Sequence, residues 1–332
     1  MSFIGLTRAS GLPVFISVGQ NETGYTAHML WCDDHDCTAP TEFAVPELFE
    51  EEPVAAIRSD DSVVLAGRRV DSQVLLYRYC ADVGCTTTNT VQIDSAGYGT
   101  GIAVDSNDDV IMMTSSLTTL KIVHCLTPEC MWADRLVNET TTAQSRYLNM
   151  KLNDADLPVM SHLSSQYLGV FTCQDDLCQN ITSSDYTETD DGFMNSMTIR
   201  SDGRPAVVWR SQDSGKLMFG SCTTPDCTTL DAKALTNGGY FPSIDLRPMD
   251  WLQPGDFPVI THLRSVTGTR EVELITCLDP ECDSIERFSL QATGHGAASG
   301  VFYNPISNYL YTMEEHGDIA EGWLLRKYCI NH

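Results

Sequence analysis

A pair of cysteines with four residues between them recurs six times along this chain. The pairs are Cys32 and Cys37, Cys80 and Cys85, Cys125 and Cys130, Cys173 and Cys178, Cys222 and Cys227, and Cys277 and Cys282. Cys329 stands in register with the first member of a pair and has no second. A period of roughly 45–50 residues fits a four-stranded propeller blade. The cysteines also align the units. Each first cysteine closes an apolar run, such as LLYRYC, LGVFTC, LMFGSC and LLRKYC. Before it lies a second run, often opened by proline, as in LPVFISV, LPVMSHL, RPAVVWR and FPVITHL. Earlier still comes a short run, FIGL, VAAI, GIAV, SMTI or GVFY, and after the pair a fourth, TEFAV, NTVQI or ERFSL. These are β-branched, apolar segments bounded by Gly, Asp, Asn and Pro, the pattern of strands. Helix-period segments are absent.

Four antiparallel strands, a to d, make a sheet too small to stand alone, and radial packing buries both of its faces. The expected fold is therefore all-β: a seven-bladed propeller whose last blade has three strands. The blades fall at approximately 1–46, 47–94, 95–139, 140–184, 185–236, 237–292 and 293–332, within one domain spanning 1–332. Ser2–Leu6 already reads as strand a of blade 1, so no N-terminal strand is spare to complete blade 7. Closure is expected by packing alone, unless the natural chain continues past His332.

Each cysteine pair brackets the turn between strands c and d. Flanking hairpin positions bring Cα atoms within disulfide range, about 5.5 Å. The rival reading is zinc, which needs four ligands, whereas one pair supplies two and neighbouring pairs sit on separate blades. Disulfides within each pair are the expected state, and they place the chain in an oxidising compartment: secreted or at the cell surface. Cys329 is then a free thiol or an intermolecular link. The N-terminus lacks the basic and apolar regions of a signal peptide, so the chain reads as a mature form.

Lys and Arg number 20 against 45 Asp and Glu, a formal charge of −25. That excludes nucleic acid as the expected partner and disfavours anionic membrane surfaces. No stretch is long and apolar enough to span a bilayer as a helix. Acids crowd the c–d turns, among them Asp34, Asp82, Asp175 and Asp279. One turn offers too few oxygens for calcium, so these read as turn formers.

The longer d–a and b–c loops are the expected home of a site, at one mouth of the central channel. Strand-a entries there present Thr100, Asn149, Ser196, Ser243 and Ser299, next to Tyr98, Arg146, Tyr147, Phe193, Tyr240 and His295. Strand-b tops present Ser17, His162, Trp209, Arg210, His262 and Thr312, followed by the Glu314–Glu315–His316 run. His162, His262, Glu315 and His316 are the candidates for catalysis, as acid, base or proton carriers. His162 and His262 are also candidate ligands for a divalent metal in the channel, calcium, zinc or copper. Tyr98, Tyr147, Trp209, Arg210 and Tyr240 are the candidate ligand-binding residues, since aromatic faces stack on rings. Repetition of a blade pattern explains the histidines equally well as structural residues.

The unit P-V-[IM]-[ST]-H followed by [LV]-x4-C-x4-C, clearest in LPVMSHL…LGVFTCQDDLC and FPVITHL…ELITCLDPEC, resembles repeats of secreted seven-bladed propellers from bacteria and marine microbes. The resemblance covers nearly the whole chain and implies architecture, with no activity attached. Two functions from different classes stay open. One is an extracellular monomer that binds a glycan, small molecule or protein at the d–a/b–c face. The other is an enzyme at the same mouth, a hydrolase, lyase or metal-assisted oxidoreductase. A serine nucleophile has no support, for no G-x-S-x-G elbow is present.

Overall fold

The computed structural model describes residues 3–21, 24–49, 53–69, 74–82, 85, 87–95, 99–115, 120–130, 133–138, 146–164, 167–176, 178–186, 193–248, 256–266, 269–290, 299–315 and 323–329. These form 27 strands, β1 to β27, and no helix. Six sheets have four strands in simple meander order, and the seventh has three, Ser299–Asn304, Tyr309–Glu315 and Trp323–Cys329. The fold is a seven-bladed β-propeller with a three-stranded last blade. By compactness the chain divides into two units, one built on Phe3–Ser165 and Phe171–Thr182, the other on Gln166–Val170 and Ser183–His332.

The middle strands of each blade are buried on both faces, which is why they read as unbroken apolar runs. Val63–Arg68 is buried at every position, and so is Leu217–Cys222. Outer strands such as Ile181–Tyr186 and Ile285–Leu290 are mostly half-buried or exposed. The core lies between blades. Val14, Ile16 and Met29 of blade 1 pack with Val63, Leu65 and Leu76 of blade 2. In the second unit, Val208 and Phe219 of blade 5 pack with Ile244, Ile260 and Ile275 of blade 6. Within each unit a blade thus covers the blade that follows it, as radial stacking requires.

Both turn families repeat. In the a–b turns a residue with positive φ closes the reversal: Gly11, Asp61, Asp108, Asp156, Gly203 and Asn308, with φ between 58° and 83°. Asp and Asn are among the few residues besides glycine that visit this region readily. Several of the a–b turns also clasp the preceding blade. Asp61 accepts the Ala9 N–H at 2.6 Å, Asp108 the Ser59 N–H at 2.8 Å, and Asp256 the Ser201 N–H at 2.9 Å.

In the c–d turns every expected bridge is present and joins the two members of one pair. Cys32 is bonded to Cys37, Cys80 to Cys85 and Cys125 to Cys130. Cys173 is bonded to Cys178, Cys222 to Cys227 and Cys277 to Cys282. Their Cα atoms stand 4.5 to 4.8 Å apart, nearer than the 5.5 Å expected but within the range of the bond. The closer approach accompanies a feature that the spacing does not announce. The second cysteine of each pair, Cys37, Cys85, Cys130, Cys178, Cys227 or Cys282, has positive φ, 49° to 54°. Its N–H bonds back to the carbonyl three residues earlier, which tightens the reversal. Asp34, Asp82, Asp175 and Asp279 cap the turn by accepting backbone N–H groups.

These carboxylates make folding sensitive to acid. Hydrogen bonds from Ser59 hold Asp108 below the ordinary carboxylate range. At Asp279 burial acts to raise the value, but backbone N–H donors of the turn outweigh it and the net shift is downward. Glu281 is lowered in the same way, burial being outweighed by hydrogen bonds from Arg200 and Ser221. A group whose folded value lies below its unfolded value stabilises the fold while ionised and loses that stabilisation as pH falls through the folded value. Thermal midpoints are therefore expected to hold between pH 7 and about 5 and to fall below about pH 4. Acid also relieves the repulsion of the −25 charge, so a midpoint that stays level or rises down to pH 3 would overturn this account.

Candidate functional site

In the second unit the chain passes from blade 5 to blade 6 through Gly238 and Gly239, with φ of 107° and 94°. A Cβ on Gly239 would lie 2.9 Å from the Leu217 Cα, so only glycine fits this crossing. The Gly239 N–H donates to Nδ1 of His262 at 3.1 Å. With Nδ1 accepting that bond, the ring proton is assigned to Nε2, which donates to Oε2 of Glu273 at 3.0 Å. His262 lies in the strand Phe257–Val266 and Glu273 in Thr269–Cys277, and the antiparallel register sets them opposite each other. Both are buried, at 0% and 4% exposure, so the pair is closed to solvent.

Cations surround this pair. Arg264 reaches Oε1 of Glu273 at 3.3 Å and Oε2 of Glu271 at 3.0 Å, and Arg287 lies 3.9 Å from Glu273. Burial alone would raise the Glu273 pKa, but the hydrogen bond from His262 and the nearby positive charges bring it below its ordinary value. Glu271 is lowered too, chiefly by hydrogen bonds from Ser289 and Arg264. The cluster is locally balanced.

Next to it, the residue after Gly239 is Tyr240, and the Arg210 guanidinium stacks over its ring, 4.2 Å from the centroid. Arg210 also donates to the Tyr240 hydroxyl at 3.2 Å. Among the described residues it has no carboxylate partner, and its buried Nε has no hydrogen-bond acceptor.

The remaining sequence candidates are placed as follows. His162, in Pro158–Ser164 of the first unit, is 1% exposed and stacks on Phe171 with centroids 4.5 Å apart. Burial pushes its pKa down to about 4, so it is neutral at ordinary pH. Trp209 is fully buried, edge-on to Tyr186. Tyr147 is exposed, with φ of 53°. Tyr98 and His316 lie outside the described residues, as do the side chains of Glu315 and Cys329. The structure thus brings Arg210 and Tyr240 together, and it buries His262, which Gly239 contacts one residue before Tyr240. Sequence reading missed Glu273, although its position follows from the repeat. His262 is four residues after Pro258, Glu273 is four before Cys277, and the b–c ladder runs these two offsets toward each other.

No protein-family model matches the sequence, and no curated protein matches it. Solved structures do. The NanB sialidase of Streptococcus pneumoniae aligns with a TM-score of 0.55 and 10% identity, over 98% of this chain and 67% of that one. A catalytically inactive virginiamycin B lyase of Staphylococcus aureus, with quinupristin, aligns at 0.59 and 13%, over 94% and 96%. The polysaccharide lyase Uly1 aligns at 0.54 and 10%, over 96% and 88%. Such low identities carry the fold alone.

Proposed function

We infer that this is an extracellular binding propeller whose second unit takes a glycan bearing a ring carboxylate, held at Arg210 and Tyr240. One observation carries the reading. In a chain with 45 acids and 20 basic residues, Arg210 has no carboxylate partner among the described residues. Its guanidinium is instead oriented by the Tyr240 ring and hydroxyl. A stacked guanidinium loses little freedom on binding and matches a carboxylate through two parallel hydrogen bonds. The oxidising compartment implied by six disulfides suits such a ligand.

Calorimetry with matched oligosaccharides, one carrying uronate or sialate and one neutral, tests this. Acidic ligand is expected to bind and its neutral counterpart to bind about tenfold or more weaker. Arg210→Ala should cost roughly 10- to 100-fold in affinity, the worth of a charged hydrogen bond. Arg210→Lys should recover little of it, because a lysine does not stack or fork. Equal binding of the two ligands, or an unchanged Arg210→Ala variant, overturns the assignment. A second reading is an enzyme at the same residues; a sialidase and two lyases share the fold, which by itself assigns no activity. Shortened products in the same incubations would favour it.

A further inference from the structure

On the first unit, the a–b turn of blade 3 differs from its equivalents in blades 1 and 2. In blade 1 the residue opening the turn is Arg8, and its guanidinium lies over Trp31, 4.9 Å from the ring centroid. In blade 2 it is Arg58, over Tyr79 at 5.9 Å. Trp31 and Tyr79 each directly precede the first cysteine of their pair. A cation thus ties the turn to the end of strand c. In blade 3 the same two positions hold Asp105 and His124. The charge is inverted, and a second carboxylate, Asp109, joins them.

The local geometry is that of a ligand set. One oxygen of Asp105 is used by the turn, accepting the N–H groups of Asn107 at 2.9 Å and Asp109 at 2.8 Å. His124 reaches the turn because the ladder pairs it with Ile111, two residues beyond Asp109. Its Nε2 is buried and has no hydrogen-bond partner, with Asp109 Oδ2 3.9 Å away. One ligand atom each from Asp105, Asp109 and His124 lies within 4.8 Å of the others. A buried ring nitrogen without a partner calls for an ion or a water. Two groups bonded to one zinc at about 2.1 Å stand no more than about 4.2 Å apart, so a small inward rotation of these side chains closes the set.

We propose that Asp105, Asp109 and His124 bind one divalent transition metal, zinc by preference, which replaces in blade 3 the arginine that ties the turn in blades 1 and 2. Two carboxylates and one imidazole suit zinc better than calcium, which takes six or more oxygens. Water fills the remaining positions, since Asp109 is partly exposed. The role is structural.

The experiment is zinc titration of chelator-stripped protein, read by calorimetry and by metal content after dialysis. About one equivalent is expected at micromolar to tens of micromolar affinity, with a thermal midpoint raised by about 2–4 °C at saturation. Calcium and magnesium should give no such rise. Asp109→Asn and His124→Ala should each abolish the bound equivalent. The double variant Asp105→Arg with His124→Tyr rebuilds the pair of blade 2, so it should fold with an undiminished midpoint and take no zinc. The site is overturned if the wild type binds no zinc at about 100 µM, a level well above the expected affinity. It is equally overturned if any folded variant retains the wild-type equivalent.

Discussion

Reduction of the six disulfides is expected to unfold this protein near 37 °C, or to lower its midpoint by more than any single substitution. Each bridge closes a loop of five residues in sequence separation, within one turn of one blade. The chain-entropy relation gives about 2 kcal/mol for so short a loop. Because the bridges sit on separate blades, their contributions should add nearly independently. Six of them approach the whole net stability of an ordinary domain, about 5–15 kcal/mol. The backbone makes the dependence stronger. Every second cysteine sits at φ of 49° to 54°, a left-handed conformation that costs roughly 1–2 kcal/mol for a residue with a Cβ. The bridge helps to hold that residue in place. Removing one pair, as Cys222→Ala together with Cys227→Ala, should cost about 2 kcal/mol, with some added loss because both residues are fully buried. Denaturant unfolding with and without a phosphine reductant measures both effects. Midpoints within about 2 °C of each other in the two redox states would show that packing between blades, rather than the bridges, carries the stability.

The architecture was legible because the cysteines give an absolute register. Once LMFGSC and LLRKYC are aligned on their last residue, the strand Lys216–Cys222 and its counterpart Trp323–Cys329 follow, and so does the missing fourth strand of the last blade. The site was legible only in part. The repeat puts Arg210 at the end of strand b and Tyr240 at the start of strand a, but their stacking depends on a detail that no periodicity reveals. Strand a of blades 4, 5 and 6 opens with a bulge, between Arg146 and Asn149, Phe193 and Ser196, and Tyr240 and Ser243. The bulge puts Tyr147, Met194 and Phe241 at positive φ and shifts the side-chain alternation by one residue. Tyr240 is therefore the equivalent of Arg146 and Phe193, while Tyr147 is the equivalent of Phe241. Residues that look alike in sequence have different roles. The histidines illustrate a second gap. His162 and His262 occupy matching positions, yet the residue four before the first cysteine is Gly169 in blade 4 and Glu273 in blade 6. One imidazole stacks on Phe171 and the other binds a carboxylate. The repeat predicts the position of a side chain but not its partner, which sits on the adjacent strand.

That partner makes Glu273 the single residue whose loss should be felt most. Glu273→Ala is expected to cost about 3–5 kcal/mol, the range for breaking a buried ion-paired cluster from one side. The Nε2–H of His262 would lose its acceptor in a site with no exposure, and Arg264 would lose one of its two carboxylates. A loss of that size should lower the thermal midpoint by roughly 5–10 °C. Its dependence on salt should be slight, because buried charges are poorly screened. Glu273→Gln keeps an acceptor for His262 but not the charge, so it should fall between wild type and Glu273→Ala. The decisive comparison is the double variant His262→Leu with Glu273→Leu. It removes donor and acceptor together and fills the space with apolar groups, so it should be much less damaging than Glu273→Ala. If the double variant is as unstable as the sum of both single losses, the pair is uncoupled and its role is packing. The wild-type cluster should also weaken in acid. Its carboxyl is held below the ordinary value, so its stabilisation is complete above about pH 5 and is lost as pH falls through the folded value. Glu273→Ala should therefore show a shallower fall in midpoint between pH 5 and 3 than wild type. Parallel curves for the two proteins would mean that the acid sensitivity resides entirely in the turn carboxylates.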